Sequence, residues 1–563
     1  MLSPKEVLKK YWGFKEFLPL QKNIIDSVLE RKDVLVLLST GAGKSLCFQL
    51  PSLIFKGNTL VISPLVSLMQ DQVIQLNNLG IKSMIIDSLQ PLDIQIDNAI
   101  YGKYKIIYTS PEKIINPQIL KRISEFKIDL IAVDEAHCIS QWGYDFRKAY
   151  KEIKILRKYI PETPLIALSA SANLKVINEI ISDLEMKKTV TYKNTLERKN
   201  INLTIQKTKN KYKSLIEIIT KNNGAVIIYC NSRKDTEKIS DHLNSISFES
   251  DFFHGGIENY QKKEKMILFN EDKKRIMVAT NAFGLGVNKN NIRIIIHYSI
   301  PDSIESYYQE IGRAGRDGNK SKAFLLLENN ETSKTEEQFE KKIADNDFVK
   351  RCLNSLYSFL NIAYGEGTKE LYFFLLDKFC KKYFYNRNKV IAVLNFLERE
   401  GILNKKIKYN EEFQIKIIVS SKKILPFIVN NSTESKLLNY LLRDSNSIFS
   451  SFVKLKKEII LNYFKNSSTL LLTLKKLKQL GLIEYNQIKS DISLEWKVPR
   501  EDKYLIDPII KNNSSFNQIK IKKFKEIINY INDDETCKTK MLLKYFGENY
   551  LKNCNNCSSK TCF

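Results

Sequence analysis

Three short strings carry residue types able to work on a phosphoanhydride. Directly after the apolar run 34–38 comes STGAGKS (39–45). Here Gly41 and Gly43 let backbone N–H groups close around phosphate oxygens, with Thr40 expected among the nucleotide-binding residues. Lys44 would neutralise the β- and γ-phosphates of ATP, and the Ser45 hydroxyl would ligate Mg²⁺ at a helix N-terminus. The full pattern of such loops wants a glycine five positions before Gly43, and Leu38 stands there. A second apolar run ends in acids, IAVDEAHC (131–138). Asp134 would hold the same Mg²⁺ and Glu135 would polarise an attacking water, the two groups that phosphoryl transfer to water needs beside a phosphate cradle. The third string, QEIGRAGRDG (309–318), spaces Arg313 and Arg316 three apart, the spacing of one helical face. Guanidinium groups arriving from a second domain would stabilise charge developing on the γ-phosphate, so the nucleotide is expected in a cleft between two domains.

A fourth group lies at the other end of the chain. Of nine cysteines, Cys537, Cys554, Cys557 and Cys562 crowd together in the spacing C-x₁₆-C-x₂-C-x₄-C. Four thiolates complete a tetrahedral Zn²⁺ shell with no open position for a water, so the expected zinc is structural. No histidine is needed, and all four histidines stand at or before His297. Because the cysteines lie outside the part of the chain that carries the three phosphate-directed strings and so stand apart from the hydrolytic motor, loss of one ligand is expected to unfold its own segment and leave basal ATP hydrolysis nearly normal.

The elements that must hold these residues follow from hydrophobic rhythm. DVLVLLS, NTLVIS, YKIIYTS and DLIAVDE are short apolar runs, each followed by a polar turn and a helix-like stretch. A second series opens with GAVIIYC near 222 and continues with RIMVAT and IRIIIHYS. That alternation predicts two tandem α/β domains with parallel sheets, at 1–200 and 201–330. A charged, apolar-poor linker is expected at 331–347, a helical, winged-helix-like region at 348–510 and the zinc-binding module at 515–563. In the third region, 388–403 and 468–485 each read as a helix ending at glycine before a strand, the form of a recognition helix and its wing. Lys475, Lys476 and Lys478 would then face phosphates. Segments 431–436 and 511–518 read as linkers.

Composition sets the outer bounds. With 563 residues the chain is too long for one small module, and at 43% hydrophobic it is too apolar to stay disordered. Lys and Arg exceed Asp and Glu by 26, a field that attracts a polyanion, either nucleic acid or an anionic membrane surface. Part of that excess fits a Lys-, Asn- and Ile-rich chain from an AT-rich genome. No run of 18 apolar residues and no signal-peptide pattern occurs, so a soluble, intracellular protein is expected.

In this order, residues ~10–320 resemble a RecQ-family DNA helicase of superfamily 2. Besides the three strings, SPLVSLMQDQV (63–73), YTSPEK (108–113), LSASAN (168–173), YCNSRKDTEKISDHL (229–243) and HGG (254–256) stand in place. The most family-specific piece is CISQWGYDFRKAY (138–150), which resembles the aromatic-rich loop linking DNA contact to ATP hydrolysis through Trp142, Phe146 and Arg147. Aromatic and guanidinium planes offer sequence-tolerant stacking on bases. The resemblance also assigns adenine binding to Phe14 and Gln21, although Leu18 occupies a position where the family has arginine. LSASAN keeps hydroxyls at Ser169 and Ser171 where threonines are usual. The cysteine segment, with YFGE at 545–548, resembles the family's zinc-binding module. It stands ~200 residues later than in the common arrangement, and the helical accessory domain of many relatives is expected to be missing. The resemblance implies two RecA-like lobes, a helical/winged-helix-like region and a zinc module. It further implies an ATP- and Mg²⁺-dependent helicase moving 3′→5′ on single-stranded, forked or partly duplex DNA in recombination and repair, in the cytoplasm. An RNA helicase, a translocase that does not unwind, and a DNA-junction scaffold with a dead motor are the rival readings.

Overall fold

Val34–Leu37, Ile106–Thr109 and Leu165–Ser169 are buried at every residue. Strands covered by helices on both faces must read this way, as unbroken apolar runs without alternation. The computed structural model describes residues 2–562 except 40, 89, 141–146, 171, 284–288, 429–431, 445–446, 456–466 and 502–505. It divides into two units: Met1–Phe339 together with Ser515–Phe563, and Glu340–Ser514.

The first unit holds two parallel sheets. One comprises β1 (Val34–Leu37), β2 (Asn58–Ile62), β3 (Ser83–Ile86), β4 (Ile106–Thr109), β5 (Ile128–Val133), β6 (Leu165–Ser169) and β7 (Val190–Lys193), in the order β3-β4-β2-β5-β6-β1-β7. The other comprises β8 (Ile201–Thr208), β9 (Ala225–Tyr229), β10 (Ser250–Phe253), β11 (Ile276–Ala279), β12 (Ile292–His297) and β13 (Ser321–Glu328), in the order β10-β11-β9-β12-β13-β8. In the first sheet β6 lies between β1 and β5, so the loops leaving these three strands share one carboxyl edge. That edge is where open α/β sheets bind ligands.

The cysteine segment is not a separate appendage. Phe524, Ile527, Ile528, Leu542, Leu543, Phe546 and Cys557 share one core with Ile304, Tyr307, Tyr308 and Ile311. Backbone bonds from Leu203 N–H to Asn556 (3.2 Å) and from Ser558 N–H to Leu203 (2.9 Å) cover the β8 edge of the second sheet. An uncovered edge would leave a row of unpaired backbone groups.

The second unit is built on one antiparallel ribbon. β15 (Leu403–Ile417) pairs with β17 (Ile483–Trp496) along nearly its whole length, with a register shift between Ile407 and Asn410. The short strands β14 (Leu371–Phe374) and β16 (Val453–Lys454) add to opposite edges. On one side of that shift, Leu403, Ile492, Leu494 and Trp496 pack with helices Asn346–Phe359, Leu376–Tyr383 and Arg387–Arg399. On the other, Phe413, Ile415, Ile417 and Ile483 pack with helices Ser421–Ile428, Thr433–Asp444 and Ser467–Gln479. The second core is therefore inserted in the wing of the first. Helices Arg387–Arg399 and Ser467–Gln479 each turn through a left-handed glycine, Gly401 (φ +79°) and Gly481 (φ +68°), into a ribbon strand.

Two linker expectations are corrected. Residues 511–518 lie inside the helix Ile506–Asn532, where buried Asn513 donates to the Ala344 carbonyl (2.9 Å) and to Asn346 (3.0 Å). Tertiary hydrogen bonds there outweigh the modest helix propensity of Asn and Ser. Of 431–436, residue 431 lies outside the described residues, and helix Thr433–Asp444 begins within the rest. The charged stretch at 331–347 holds the helix Glu331–Glu340, none of whose residues is buried.

Candidate nucleotide site and zinc centre

From β1 the chain turns through Gly41 (φ +87°) and Gly43 (φ +71°) into helix Leu46–Ile54. The positive φ at Gly43 strains any other residue, and a Cβ there would also displace the Gln21 amide, whose Nε2 stands 2.3 Å away. Lys44 Nζ donates to the carbonyl of Leu38 (3.1 Å), the residue standing where a glycine was wanted. Ser45 occupies the N-cap, yet its hydroxyl makes no capping bond there, which fits a role as cation ligand. Buried Gln21 receives Leu18 N–H (2.9 Å) and donates to the Gly43 carbonyl (3.2 Å), tying the N-terminal segment to the loop. Phe14 is exposed. Thr40 lies outside the described residues.

Asp134 and Glu135 leave β5 beside this loop. Asp134 N–H bonds the Ile62 carbonyl (2.9 Å), extending the β2–β5 pairing by one residue. Burial first, then the neighbouring Glu135 charge, pushes the Asp134 carboxyl up to about 7. A divalent cation would reverse that balance by supplying the missing positive charge. Glu135 sits in left-handed backbone (φ +48°), an arrangement bulky side chains adopt only under constraint. His137 Nδ1 lies 3.1 Å from Ser169 Oγ and 3.3 Å from a Glu135 oxygen. The strand order explains this: Ser169 ends β6, between the strands carrying the lysine and the acids. His137 was not among the expected site residues, because its partner is 32 positions away and only the sheet order joins them. Ser171 lies outside the described residues.

Across the cleft, one expectation is corrected. Arg313 and Arg316 do not lie on a helical face, because helix Ile304–Ile311 ends before them and both sit in the turn that follows. The helix caps at Gly312, and Gly315 (φ +56°) then bends the chain within the turn, where a Cβ would meet Asn200 Nδ2 at 2.4 Å. The turn still delivers the guanidiniums. A Cβ on Gly41 would stand 3.3 Å from Arg316 Cγ, so this side chain crosses the phosphate loop. Arg313 bonds the Tyr229 hydroxyl. Burial, then the adjacent Arg313 charge, lowers Arg316 to about 10. Burial also lowers Lys44, while Glu135 and Asp134 raise it and Arg316 lowers it further. The two basic and two acidic groups thus share one electrostatic site.

Of the DNA-directed loop, Trp142 and Phe146 lie outside the described residues. Arg147 Nη1 donates to the Pro64 carbonyl (2.8 Å) and lies 3.9 Å from Glu112. It therefore joins the 63–73 and 108–113 segments.

The four sulfurs of Cys537, Cys554, Cys557 and Cys562 lie within 4.8 Å of one another. Cys554 and Cys562 are 3.9 Å apart, and Cys537 and Cys557 4.0 Å. A tetrahedral site with Zn–S of about 2.3 Å has sulfur–sulfur edges of about 3.8 Å, so the set fits zinc. Zinc would cross-link the segment and hold it folded. The expectation that this centre stands apart from the motor is corrected by the shared core, in which Cys557 packs with the helix leading to Arg313.

The sequence matches four families: DEAD/DEAH box helicase over residues 18–180, helicase conserved C-terminal domain over 210–318, RecQ helicase winged-helix domain (Bacteroidota) over 415–487, and RecQ zinc-binding over 500–561. It is 41% identical to "ATP-dependent DNA helicase RecQ" of Haemophilus influenzae, over 57% of this chain and 53% of that one. Identity is 42% to "Putative ATP-dependent RNA helicase R290" of Acanthamoeba polyphaga mimivirus, over 57% of this chain and 60% of that one. With "Probable ATP-dependent DNA helicase RecS" of Bacillus subtilis it is 37%, over 58% of this chain and 67% of that one. The chain spans about half the length of the first curated relatives it matches. Two parallel-sheet lobes with these motifs, a winged-helix region and a four-cysteine module put the chain in the RecQ family of superfamily 2 helicases.

Proposed function

We propose that this chain is an ATP- and Mg²⁺-dependent DNA helicase that moves 3′→5′ and serves recombination and repair from the cytoplasm. The observation that carries the reading is the meeting of Lys44, Asp134 and Glu135 of one lobe with Arg316 of the other. Mg²⁺, when bound, neutralises phosphate charge and fixes the geometry of the phosphate oxygens. Ser45 and Asp134 hold the cation. Lys44 exchanges the Leu38 carbonyl for phosphate oxygens, Glu135 orients the attacking water, and Arg313 and Arg316 stabilise negative charge as the lobes close. Phe14 and Gln21 face the adenine. Trp142, Phe146 and Arg147 stack on single-stranded DNA and report its presence to the acids, with His137 and Ser169 as the link. Among the described residues no helix is long and apolar enough to cross a membrane, and beside a nucleotide site the +26 charge favours nucleic acid as the polyanion.

The test is ATP turnover with and without single-stranded DNA, followed by unwinding of forked duplexes bearing either tail polarity and of an RNA duplex. DNA-stimulated turnover with unwinding from the 3′ tail supports the reading. Stimulation by RNA alone, turnover without unwinding, or DNA binding without turnover would establish the RNA helicase, the translocase or the scaffold in its place.

A further inference from the structure

The segment Asn194–Asn200 joins β7 of one lobe to β8 of the other, and both of its sides are engaged. Toward the catalytic cleft, the Arg198 guanidinium donates to three consecutive-turn carbonyls: Gly312 (3.0 Å), Ala314 (2.8 Å) and Gly315 (3.2 Å). Asn200 Nδ2 donates to Gly315 (2.8 Å) and Asn319 (3.0 Å). These carbonyls alternate with Arg313 and Arg316 and follow the C-terminus of helix Ile304–Ile311. The end of a helix carries partial negative charge, so a half-buried guanidinium bonded to the carbonyls just past it is a strong clamp. Tyr308, on the same helix, donates its hydroxyl to the Leu196 carbonyl (2.7 Å).

On its other side the segment is held by the cysteine module. The Glu548 carboxylate accepts from Leu196 N–H and Thr195 Oγ1, both at 3.0 Å. Tyr550 donates to Glu197, and Asn556 Nδ2 donates to the Lys199 carbonyl (3.3 Å). Glu548 and Tyr550 lie between Cys537 and Cys554, and Asn556 lies between Cys554 and Cys557, so a zinc held by the four cysteines would fix the backbone from which all three reach. Position along the chain gives no hint of this, since these partners are more than 350 residues apart.

We propose that Asn194–Asn200 is a positioning strap: Arg198 sets the turn that presents Arg313 and Arg316, and the zinc-bound module sets the strap. Arg198 touches no nucleotide and acts through the two arginines. The inference rests on the ATPase reading above. Its consequence is that the zinc module governs the rate of ATP turnover as well as any hold on DNA.

Three variants of the full chain test it: Arg198→Met, Arg198→Lys and Glu548→Gln. The readouts are kcat and KM for ATP at saturating DNA, affinity for a fluorescent ATP analogue, zinc content and thermal melting. Arg198→Met is expected to lower kcat at least tenfold while KM and analogue affinity stay within about twofold, because the phosphate loop is untouched. Arg198→Lys, able to reach one carbonyl in place of three, should recover part of the rate. Glu548→Gln should lower kcat severalfold with zinc still at one equivalent. In an Arg316→Ala background, Arg198→Met should cost little more, since residues acting through one another are not additive. Near-wild-type kcat in Arg198→Met, or its full loss repeated on top of Arg316→Ala, would overturn the strap. Should Arg198→Met fail to fold, the Arg198→Lys and Glu548→Gln rates decide by the same criteria. Wild-type protein inert toward ATP with and without DNA would overturn the ATPase reading itself, a different result from any of these.

Discussion

Lys44 and Glu135 interact within one electrostatic site, and the proposed reaction asks different things of them. Lys44 contributes attraction that begins on binding, so Lys44→Ala should lower ATP turnover by at least about a hundredfold, ~2.7 kcal/mol of lost phosphate stabilisation. Its hydrogen bond runs to Leu38 within its own loop, so DNA affinity measured without nucleotide should stay within about twofold. Glu135→Gln keeps the shape and removes the charge that orients water. It should retain ATP binding, measured with a fluorescent analogue, and hold the lobes closed on unhydrolysed ATP, with DNA retained longer in a dissociation assay. Wild-type turnover in either variant would remove the assignment.

Among the elements, the turn 312–318 shows most clearly how packing sets chemistry. Helix Ile304–Ile311 is buried at every residue and is tied to β12 through Glu310 and His297 (2.8 Å). The turn after it bends at Gly315, where an added Cβ would also meet the Asn319 carbonyl at 2.7 Å and Ser321 Oγ at 2.8 Å. Gly315→Ala should therefore cost ~1 kcal/mol or more from the positive φ alone, with the close approach adding to it. The expected outcome is a lower melting temperature together with a fall in kcat, and an unchanged rate would mean that the turn does not govern the arginines. In the second unit, helix Ser467–Gln479 exposes Lys475, Lys476 and Lys478. Lys476 pairs with Glu434 (3.2 Å) and Lys478 stands over the Tyr485 ring, so any phosphate contact by these two must compete with partners already present.

At the scale of the whole molecule, charge and zinc are the measurable properties. If the +26 reflects contact with DNA, affinity should fall steeply with salt, log K dropping by ~0.7 per single-strand phosphate contact for each decade. A flat response in a salt-titrated binding assay would assign the excess to composition alone. Elemental analysis should find one zinc per chain; less than half an equivalent, with four freely titratable thiols, would refute the centre. Cys557→Ser should lower basal ATP turnover as well as DNA affinity, because Cys557 shares a core with Tyr307, Tyr308 and Ile311. Turnover at the wild-type rate would restore the view of an independent module.

Read alone, the sequence determined the α/β class, the phosphate loop, the acidic pair and the cysteine set. Each depends on residues close in the chain: a strand and its following turn, or a metal shell whose ligands mostly share one short segment. It also located both helix–glycine–strand segments of the second unit, since glycine is the residue that most readily takes the left-handed stop seen at Gly401 and Gly481. Tertiary structure decided what depends on distant pairs. Only the strand order β5-β6-β1 brings His137 to Ser169, and only the return of the C-terminal segment onto β8 sets Glu548 against the strap. Asn513 was misread as linker because its carbonyl partner at Ala344 is far away in the chain, and the nested wings were invisible because β15 and β17 pair across an inserted core. Hydrogen bonds between segments hundreds of residues apart leave no periodicity in either segment, so the chemistry was legible before the fold and its coupling only after it.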